Sequence, residues 1–289
     1  MAKLGSKTQG IVYILIAAFG FSLMTLFVKL AGDLPAMQKA FFRNFVALIY
    51  ISIMMGRENV SPVPEKKNVP DLLGRCFFGT LGLICNFYAI GHLNLSDANM
   101  LNKLSPFFAI LFSVFLLREK PNFAQMAGVT VAFIGSVFII KPSFDNPAVI
   151  PAVAGMLGGM GAGIAYTFVR RLGAKQENSK RIIFWFSGFS CLFCLPFLLF
   201  TYVHMTPQQL LYLVLAGTFA CVGQLGITKA YICAPAKEIS VYDYTQVLFA
   251  ALLGFIVFGD IPDIFSIIGY ILICGAGVAM FFYNNRKTA

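Results

Sequence analysis

Long apolar stretches alternate with short polar ones along the whole chain. Each apolar stretch is about 20 residues long, the length an α-helix needs to cross the hydrocarbon core of a bilayer. Strands of a membrane barrel would be about ten residues long with alternating polarity, a weaker pattern that these stretches do not follow. The pattern therefore predicts ten transmembrane helices, at residues 9–30, 36–55, 71–91, 94–117, 121–140, 150–172, 181–203, 208–232, 238–258 and 262–283.

The composition excludes most soluble proteins. Hydrophobic residues make up 58% of the 289 residues and charged residues 12%, against about 25% charged in ordinary globular domains. The mean hydropathy is +0.79. So few polar residues could not cover the surface of a soluble core. The chain is therefore predicted to be an all-α integral membrane protein, and a cytosolic enzyme, a disulfide scaffold and a disordered chain are excluded.

The basic residues predict how the helices are oriented. With the N-terminus in the cytoplasm, 17 of the 22 Lys and Arg residues fall in cytoplasmic segments, Arg75 among them. Only Lys29, Lys39 and Lys141 fall in external segments, and the other two, Lys103 and Arg43, fall within spans. Cytoplasmic loops of membrane proteins carry such an excess of positive charge. Both termini are therefore predicted to be cytoplasmic, and the net charge of +10 does not indicate a nucleic-acid partner.

The two halves of the chain match one another at an offset of 141 residues. Gly82 aligns with Gly223, Gly128 with Gly269, and span boundaries fall at the same offset. This predicts two repeats, residues 1–145 and 146–289, with five helices each. Because five is odd, the second repeat enters the membrane from the opposite side. Inverted-topology repeats are typical of secondary transporters, whose substrate site lies near the membrane midplane between the repeats.

Several motifs carry a family resemblance. Tyr88-Ala89-Ile90, the stretch from Leu104-Ser105-Pro106 to Leu117-Arg118-Glu119-Lys120, and Tyr244-Thr245-Gln246 to Phe258-Gly259-Asp260 stand at matching places in the two halves. The chain resembles the EamA branch of the drug/metabolite transporter superfamily over nearly its whole length. It departs from the family pattern at Arg118, Asp260 and Val247. The resemblance implies a ten-helix carrier of small metabolites, often an exporter, with a central cavity lined mainly by helices 3, 4, 8 and 9.

Polar residues inside the predicted spans are the candidate substrate ligands, because burying such groups in a membrane is costly. In the fourth span, Asn99, Asn102, Lys103 and Pro106 recur at helical spacing on one face. Lys103 is about 14 Å into the span at 1.5 Å per residue. Pro106 cannot hydrogen-bond to the carbonyl of Asn102, which predicts an acceptor or a flexible point there.

The ninth span carries the matching polar set. Asp243 is the repeat-equivalent of Asn102 and Tyr244 that of Lys103, and Gln246 follows them. We expect Lys103 and Asp243 to face each other across the cavity, either as substrate ligands or as an ion pair that holds the bundle together. Asp243 is also the candidate for a coupling proton.

Four further residues are candidate ligands with structural alternatives. Arg43 either lines the cavity as an anion contact or extends to the membrane surface. Asn86 and Gln224 serve equally well as interhelical hydrogen-bonding groups. Tyr166 either stacks on substrate or lies at the interface. Gly155, Gly159 and Gly163 form a ridge of small residues, predicted to let another helix approach closely.

These features predict a secondary active transporter of a small zwitterionic metabolite, such as an amino acid or derivative, by export or exchange. The alternatives are a carrier of small organic anions and a lipid or lipid-phosphate flippase. The sequence contains no Gly-rich phosphate loop, and we expect no cofactor and no metal site. The expected partners are a small-molecule substrate and the bilayer of a prokaryotic inner or plasma membrane. A monomer is expected to suffice, and a homodimer is compatible with the sequence.

Overall fold

The computed structural model describes residues 6–116, 122–141, 146–233 and 240–286, and these residues are almost entirely helical. The turn Leu117–Lys120, which carries part of the family pattern, lies outside the described residues. The α-helices are α1 (Ser6–Leu30), α2 (Ala36–Arg57), α3 (Val69–His92), α4 (Leu95–Asn102), α5 (Ser105–Leu116), α6 (Phe123–Ile140), α7 (Val149–Ala174), α8 (Ser179–Thr201), α9 (Pro207–Cys233), α10 (Thr245–Phe258) and α11 (Ile264–Arg286).

Within the described ranges, nine helical segments are long and apolar enough to cross a membrane. They include Leu95–Leu116, in which α4 and α5 follow one another as a single broken span. A tenth apolar segment, Tyr242–Phe258, is shorter. The predicted all-α membrane fold is confirmed, and the predicted ninth span is the one whose described part falls below full spanning length.

Glycine and a capping box determine where several helices begin and end. Gly32 after α1 and Gly259 after α10 have φ of 69° and 68°, a left-handed conformation that glycine adopts without a steric penalty. At the start of α6, the Asn122 side chain accepts from the Gln125 backbone N–H and the Gln125 side chain accepts from that of Asn122. This reciprocal bonding satisfies two N–H groups that lack partners at a helix start.

The first helix of each half packs on the third helix of the other half. On the α1–α9 contact, a Cβ placed on Gly20 would lie 3.1 Å from the backbone nitrogen of Gly223. On the α7–α3 contact, a Cβ on Gly161 would lie 2.8 Å from the Cα of Gly82. Gly161 is 141 residues after Gly20, and Gly223 is 141 residues after Gly82. These paired contacts support the predicted repeat, whose inverted orientation in the membrane stays a prediction.

Candidate functional site

The broken fourth span and the start of α10 meet at an ion pair. Lys103 is the C-cap residue of α4, and Asp243 lies in the 3-10 turn Ser240–Tyr244 that leads into α10. The Lys103 Nζ donates to the Asp243 Oδ2 at 2.6 Å, and the two side chains are 7% and 18% exposed. Asp243 Oδ1 is buried and makes no hydrogen bond in the described part of the chain. The two side chains predicted to face each other are therefore in direct contact.

The break in the fourth span and the start of α10 fall at equivalent positions of the two halves. α4 ends at Asn102 and α5 begins at Ser105, while the 3-10 turn ends at Tyr244, the repeat-equivalent of Lys103. Pro106 has no N–H to give the Asn102 carbonyl, so the predicted flexible point is a break in the helix. Broken helices with exposed backbone polar groups form the ion and substrate sites of many secondary transporters.

The glycine ridge of α7 packs directly on this break. A Cβ on Gly159 would lie 2.6 Å from the Leu101 carbonyl oxygen, and one on Gly163 would lie 2.6 Å from that of Ser105. Real Cβ atoms essentially never come so close, so the backbones of α7 and of the broken span touch only because these positions are glycine. The predicted role of the ridge in close helix packing is confirmed.

Asn99 and Gln246 bond to each other rather than facing an open space. Gln246 Nε2 donates to Asn99 Oδ1 at 2.8 Å, and Asn99 Nδ2 donates to the Leu95 carbonyl at 2.7 Å and to Thr25 Oγ1 at 3.2 Å. Both amide side chains are buried. Their bonds join α1, α4 and α10 beside the ion pair.

Arg43 lies inside the bundle and does not extend to its surface. The residue is 2% exposed, and its Nη1 donates to Asn44 Oδ1 at 2.5 Å. Its Nε is buried without a hydrogen-bond partner among the described residues. The alternative in which Arg43 extends to the membrane surface is therefore not observed, and its role as an anion contact stays a prediction.

Arg75 is a central residue that the sequence analysis missed. It was counted among the cytoplasmic charges, but it is the seventh residue of α3 and is 6% exposed. Its guanidinium stacks on the ring of Phe186, with Cζ 4.1 Å from the ring centroid. Arg75 lies four residues after the predicted start of the third span at residue 71, and only its charge was considered there, not its burial. The signal that could have found Arg75 is its helical spacing with Asn86, eleven residues later on nearly the same face of α3.

Tyr166 connects the arginines to the ion pair. Its hydroxyl lies within electrostatic range of Arg75, Asp243 and Arg43. Its side chain is 41% exposed. The structure thus brings Arg43, Arg75, Tyr166 and Asp243 into one polar region.

The remaining candidates have varied surroundings. Asn86 is buried against Gly158 of α7, and its Oδ1 has no hydrogen-bond partner in the described ranges. Tyr244 packs against α11, where a Cβ on Gly277 would lie 2.4 Å from its hydroxyl. Asn102 is half-buried. Gln224 is half-buried and already has an interaction partner. Over the described residues, no cluster of three His, Cys, Asp or Glu side chains could hold a metal ion.

Comparison with known proteins agrees with this architecture. The model of the EamA-like transporter family matches the chain twice, over residues 8–141 and 149–283. These two matches cover both halves and lie within the predicted repeats.

Several curated relatives are named as transporters. The chain is 33% identical over 274 residues to the pseudopaline exporter CntI of Pseudomonas aeruginosa, covering 94% of this chain and 95% of that protein. It is 25% identical to human solute carrier family 35 member G1, covering 93% of this chain and 78% of that one. It is 24% identical to the riboflavin transporter of Vibrio cholerae, covering 88% and 86%.

A solved crystal structure shares the fold. It superposes with a TM-score of 0.68 at 16% identity, covering 98% of this chain and 99% of that one. At that identity the match shows the fold alone. The double match to one family model and the full-length relatives identify the chain as a multi-pass membrane protein that belongs to the EamA-like transporter family.

Proposed function

We propose that this protein is a secondary active transporter that moves a small zwitterionic metabolite, an amino acid or a derivative, by alternating access, in export or exchange. The observation that carries the proposal is the Lys103–Asp243 ion pair, where the broken fourth span meets the 3-10 turn at the start of α10. Asp243 Oδ1 lies there without a hydrogen-bond partner among the described residues.

The charges of this region suit a substrate that has both signs. An ammonium group can bind Asp243, and a carboxylate can bind Lys103 or Arg43, each at low exposure. Charges separated from water interact more strongly than charges at a surface. A substrate that is only a cation is disfavoured, because Lys103, Arg43 and Arg75 would repel it.

Asp243 is the proposed site of a coupling proton. It is the carboxylate paired with Lys103 in the middle of the bundle, and protonation would release Lys103 to bind a substrate carboxylate. The test is transport into vesicles with and without an imposed pH gradient. Transport that does not respond to the gradient would remove Asp243 from this role.

Two alternatives are open for the substrate class. A small organic anion would use Arg43 and Lys103 and leave Asp243 unused. A lipid or lipid-phosphate flippase needs a groove open to the bilayer, and a groove of about 340 Å³ lies between α1 and α9. Its lining, which includes Val12, Phe19 and Phe219, is apolar throughout. It therefore offers no group for a lipid headgroup, and the zwitterion carrier is preferred.

The proposed setting is the inner or plasma membrane of a prokaryote, with both termini in the cytoplasm. The excess of basic residues in the predicted cytoplasmic segments supports this orientation. We propose that one chain is sufficient for transport, because it carries both predicted repeats. No cofactor is part of the proposal.

The experiment is a ligand screen on the purified, detergent-solubilised protein. The panel contains amino acids, small organic anions, phosphate esters, lipid headgroups, pseudopaline and riboflavin, and the readout is the melting temperature. A ligand at 100 times its dissociation constant adds about 2.7 kcal/mol of stability, which is readily measured. A zwitterion that stabilises the wild type but not Lys103→Ala supports the proposal. Stabilisation by lipid phosphates alone would replace it with the flippase.

A further inference from the structure

We infer that Arg43 and Arg75 together bind carboxylate groups, so that the transported molecule carries two carboxylates and an amine. This rests on the proposed function and narrows its substrate class. The two arginines come from α2 and α3, which pack against each other and both against α8, and they lie within electrostatic range of each other. Both face the region that holds Tyr166 and the Lys103–Asp243 pair.

Neither guanidinium is neutralised by the protein in the described part of the chain. The Nε atoms of both arginines are buried without a hydrogen-bond partner. Arg43 donates only to a neutral amide, that of Asn44, and Arg75 stacks on Phe186. Buried charged groups are normally paired, because removing them from water is costly. Two buried guanidinium groups without a counter-charge among the described residues therefore indicate a missing anionic partner.

The residues around Arg75 determine where its guanidinium lies. A Cβ on Gly79 would lie 2.0 Å from Arg75 Nη1 and 3.0 Å from Phe186 Cε2. Only glycine at this position leaves room for the guanidinium to fold along α3 and lie on the Phe186 ring. Such a cradle holds the guanidinium plane in one orientation, which is what two-pronged binding of a carboxylate requires.

The arginine pair is not explained by the repeat. The repeat-equivalents of Arg43 and Arg75 are Phe184 and Ala216. The second half of the bundle therefore packs without cations at these positions. A requirement of one half only is better explained by an asymmetric ligand than by the common fold.

Each charged group of this region can be matched with a charged group of the proposed substrate. Lys103 and Asp243 are paired with each other. The groups that remain available to a substrate are therefore the two guanidinium groups and Asp243 Oδ1. Two carboxylates match the guanidinium groups, and an amine matches the remaining carboxylate oxygen. The Tyr166 hydroxyl lies within electrostatic range of both sets and can donate to a carboxylate.

The first test needs no substrate. If the arginines await an anion, Arg43→Gln and Arg75→Gln remove an uncompensated charge from the ligand-free protein, and its melting temperature stays the same or rises. Arg57→Gln, at an exposed position, is the matched control. A clear fall in the melting temperature of both variants would assign the arginines to structure and overturn the inference.

The second test uses probes that differ in one carboxylate. L-Glutamate and L-glutamine have nearly the same shape, but glutamine carries an amide in place of the second carboxylate. We expect glutamate to bind the wild-type protein at least about tenfold more tightly, because hydrogen bonds to charged groups are the stronger ones. That preference should disappear in Arg43→Gln and Arg75→Gln and persist in Arg57→Gln. Succinate, which lacks the amine, should bind more weakly than glutamate.

A third variant moves the guanidinium without removing it. Gly79→Ala forces Arg75 Nη1 away from its place, and the end of a flexible side chain can move at little cost to stability. We expect Gly79→Ala to lose the preference for glutamate while its ligand-free melting temperature stays near that of the wild type. Gly173→Ala, at a glycine with nothing within 4 Å of the added Cβ, should keep the preference.

The outcomes separate this inference from the proposed function. Equal stabilisation by glutamate and glutamine, lost in Asp243→Asn, would overturn the two-carboxylate site and leave the zwitterion carrier in place. Succinate binding as tightly as glutamate would favour the organic-anion carrier. Stabilisation by neither amino acid, together with stabilisation by lipid phosphates, would overturn both.

Discussion

The Lys29 ammonium lies 2.6 Å from Asp260 Oδ2, joining the end of α1 to the end of α10. The same carboxylate oxygen accepts from the backbone N–H of Leu95 at 3.1 Å, and Lys29 also donates to the Leu93 carbonyl at 3.1 Å. The two side chains are 16% and 15% exposed. This cluster fastens α1, α10 and the α3–α4 turn at the end of the bundle predicted to be external.

Removing Lys29 and removing Asp260 should destabilise the protein to different extents. Lys29→Met leaves Asp260 bonded to the Leu95 N–H, whereas Asp260→Ala leaves Lys29 unpaired and the N–H without an acceptor. We expect the larger loss, about 3 kcal/mol, for Asp260→Ala, read from denaturant or thermal unfolding in detergent. The double variant Lys29→Asp/Asp260→Lys, in which the two charges are exchanged, should restore only part of the lost stability. A lysine at position 260 cannot accept a hydrogen bond from the Leu95 N–H. Full recovery in that double variant would contradict the role of the Leu95 bond.

The Lys103–Asp243 pair can be tested for structure and function separately. Lys103→Met and Asp243→Leu alone should each cost about 3–5 kcal/mol, since each leaves a largely buried charge unpaired. The double variant should recover most of that stability. We expect it to remain without transport or ligand binding in liposome and melting assays, because the ligand groups are gone.

A merely structural ion pair gives the opposite result for function. In that case the folded Lys103→Met/Asp243→Leu protein would transport as well as the wild type. Lys67→Met serves as the control, because Lys67 and Glu65 form an exposed pair, 64% and 63% accessible, and such pairs contribute little.

The glycine ridge makes a steric prediction. In Gly159→Ala the new Cβ would lie 2.6 Å from the backbone oxygen of Leu101, so α7 and the broken span must separate. We expect a loss of about 1–3 kcal/mol, measured as a lower melting temperature, together with weaker ligand binding. Gly173→Ala on the same helix should not destabilise, since alanine is the better helix former by about 1 kcal/mol. Equal behaviour of the two variants would show that the contact at Gly159 yields easily.

The Asn99–Gln246 bond is expected to serve stability more than binding. Gln246→Met leaves the buried Asn99 Oδ1 without its donor at 2.8 Å, which costs about 1–3 kcal/mol. Ligand affinity of the folded fraction, measured by isothermal titration, should change little. A loss of affinity as large as that of Lys103→Ala would return both amides to the set of substrate ligands.

The loop between α7 and α8 gives a pH-dependent contribution to stability. Burial alone would raise the pKa of the Glu177 carboxyl, but hydrogen bonds from Asn68, the Asn178 backbone and Arg181 outweigh burial and lower it from 4.5. A lowered folded-state pKa stabilises the fold above the unfolded pKa. The contribution is therefore complete above about pH 4.5 and is lost as the pH falls through the folded pKa.

The comparison with Glu177→Gln isolates this contribution. The stability difference between wild type and variant, from melting curves at several pH values, should be largest near neutral pH and shrink on acidification below pH 4.5. Asp263→Asn should show the same pH dependence. Desolvation alone would raise the pKa of Asp263, but hydrogen bonds from Lys141 and Ser266 outweigh it and lower that pKa. A stability difference that grows on acidification would contradict the lowered pKa of these carboxyl groups.

The helices could be read from the sequence because a membrane span is a local property. Length and hydropathy place Ala36–Arg57 or Ile264–Tyr283 without reference to any neighbour, since a bilayer imposes the same requirement on each segment. The 141-residue offset and the family pattern are also visible along the chain. The break at Lys103 follows from Pro106, two residues into the next helix.

Which polar side chains meet was decided only by the tertiary structure. Asn99 and Lys103 share one face of the broken span, yet Asn99 bonds to Gln246 while Lys103 bonds to Asp243. Arg75 was counted only as a cytoplasmic charge, because a sequence position says nothing of the space that Gly79 and Phe186 leave for a long side chain. Helical periodicity determines a face, whereas the partner on that face depends on the packing of segments distant in the chain.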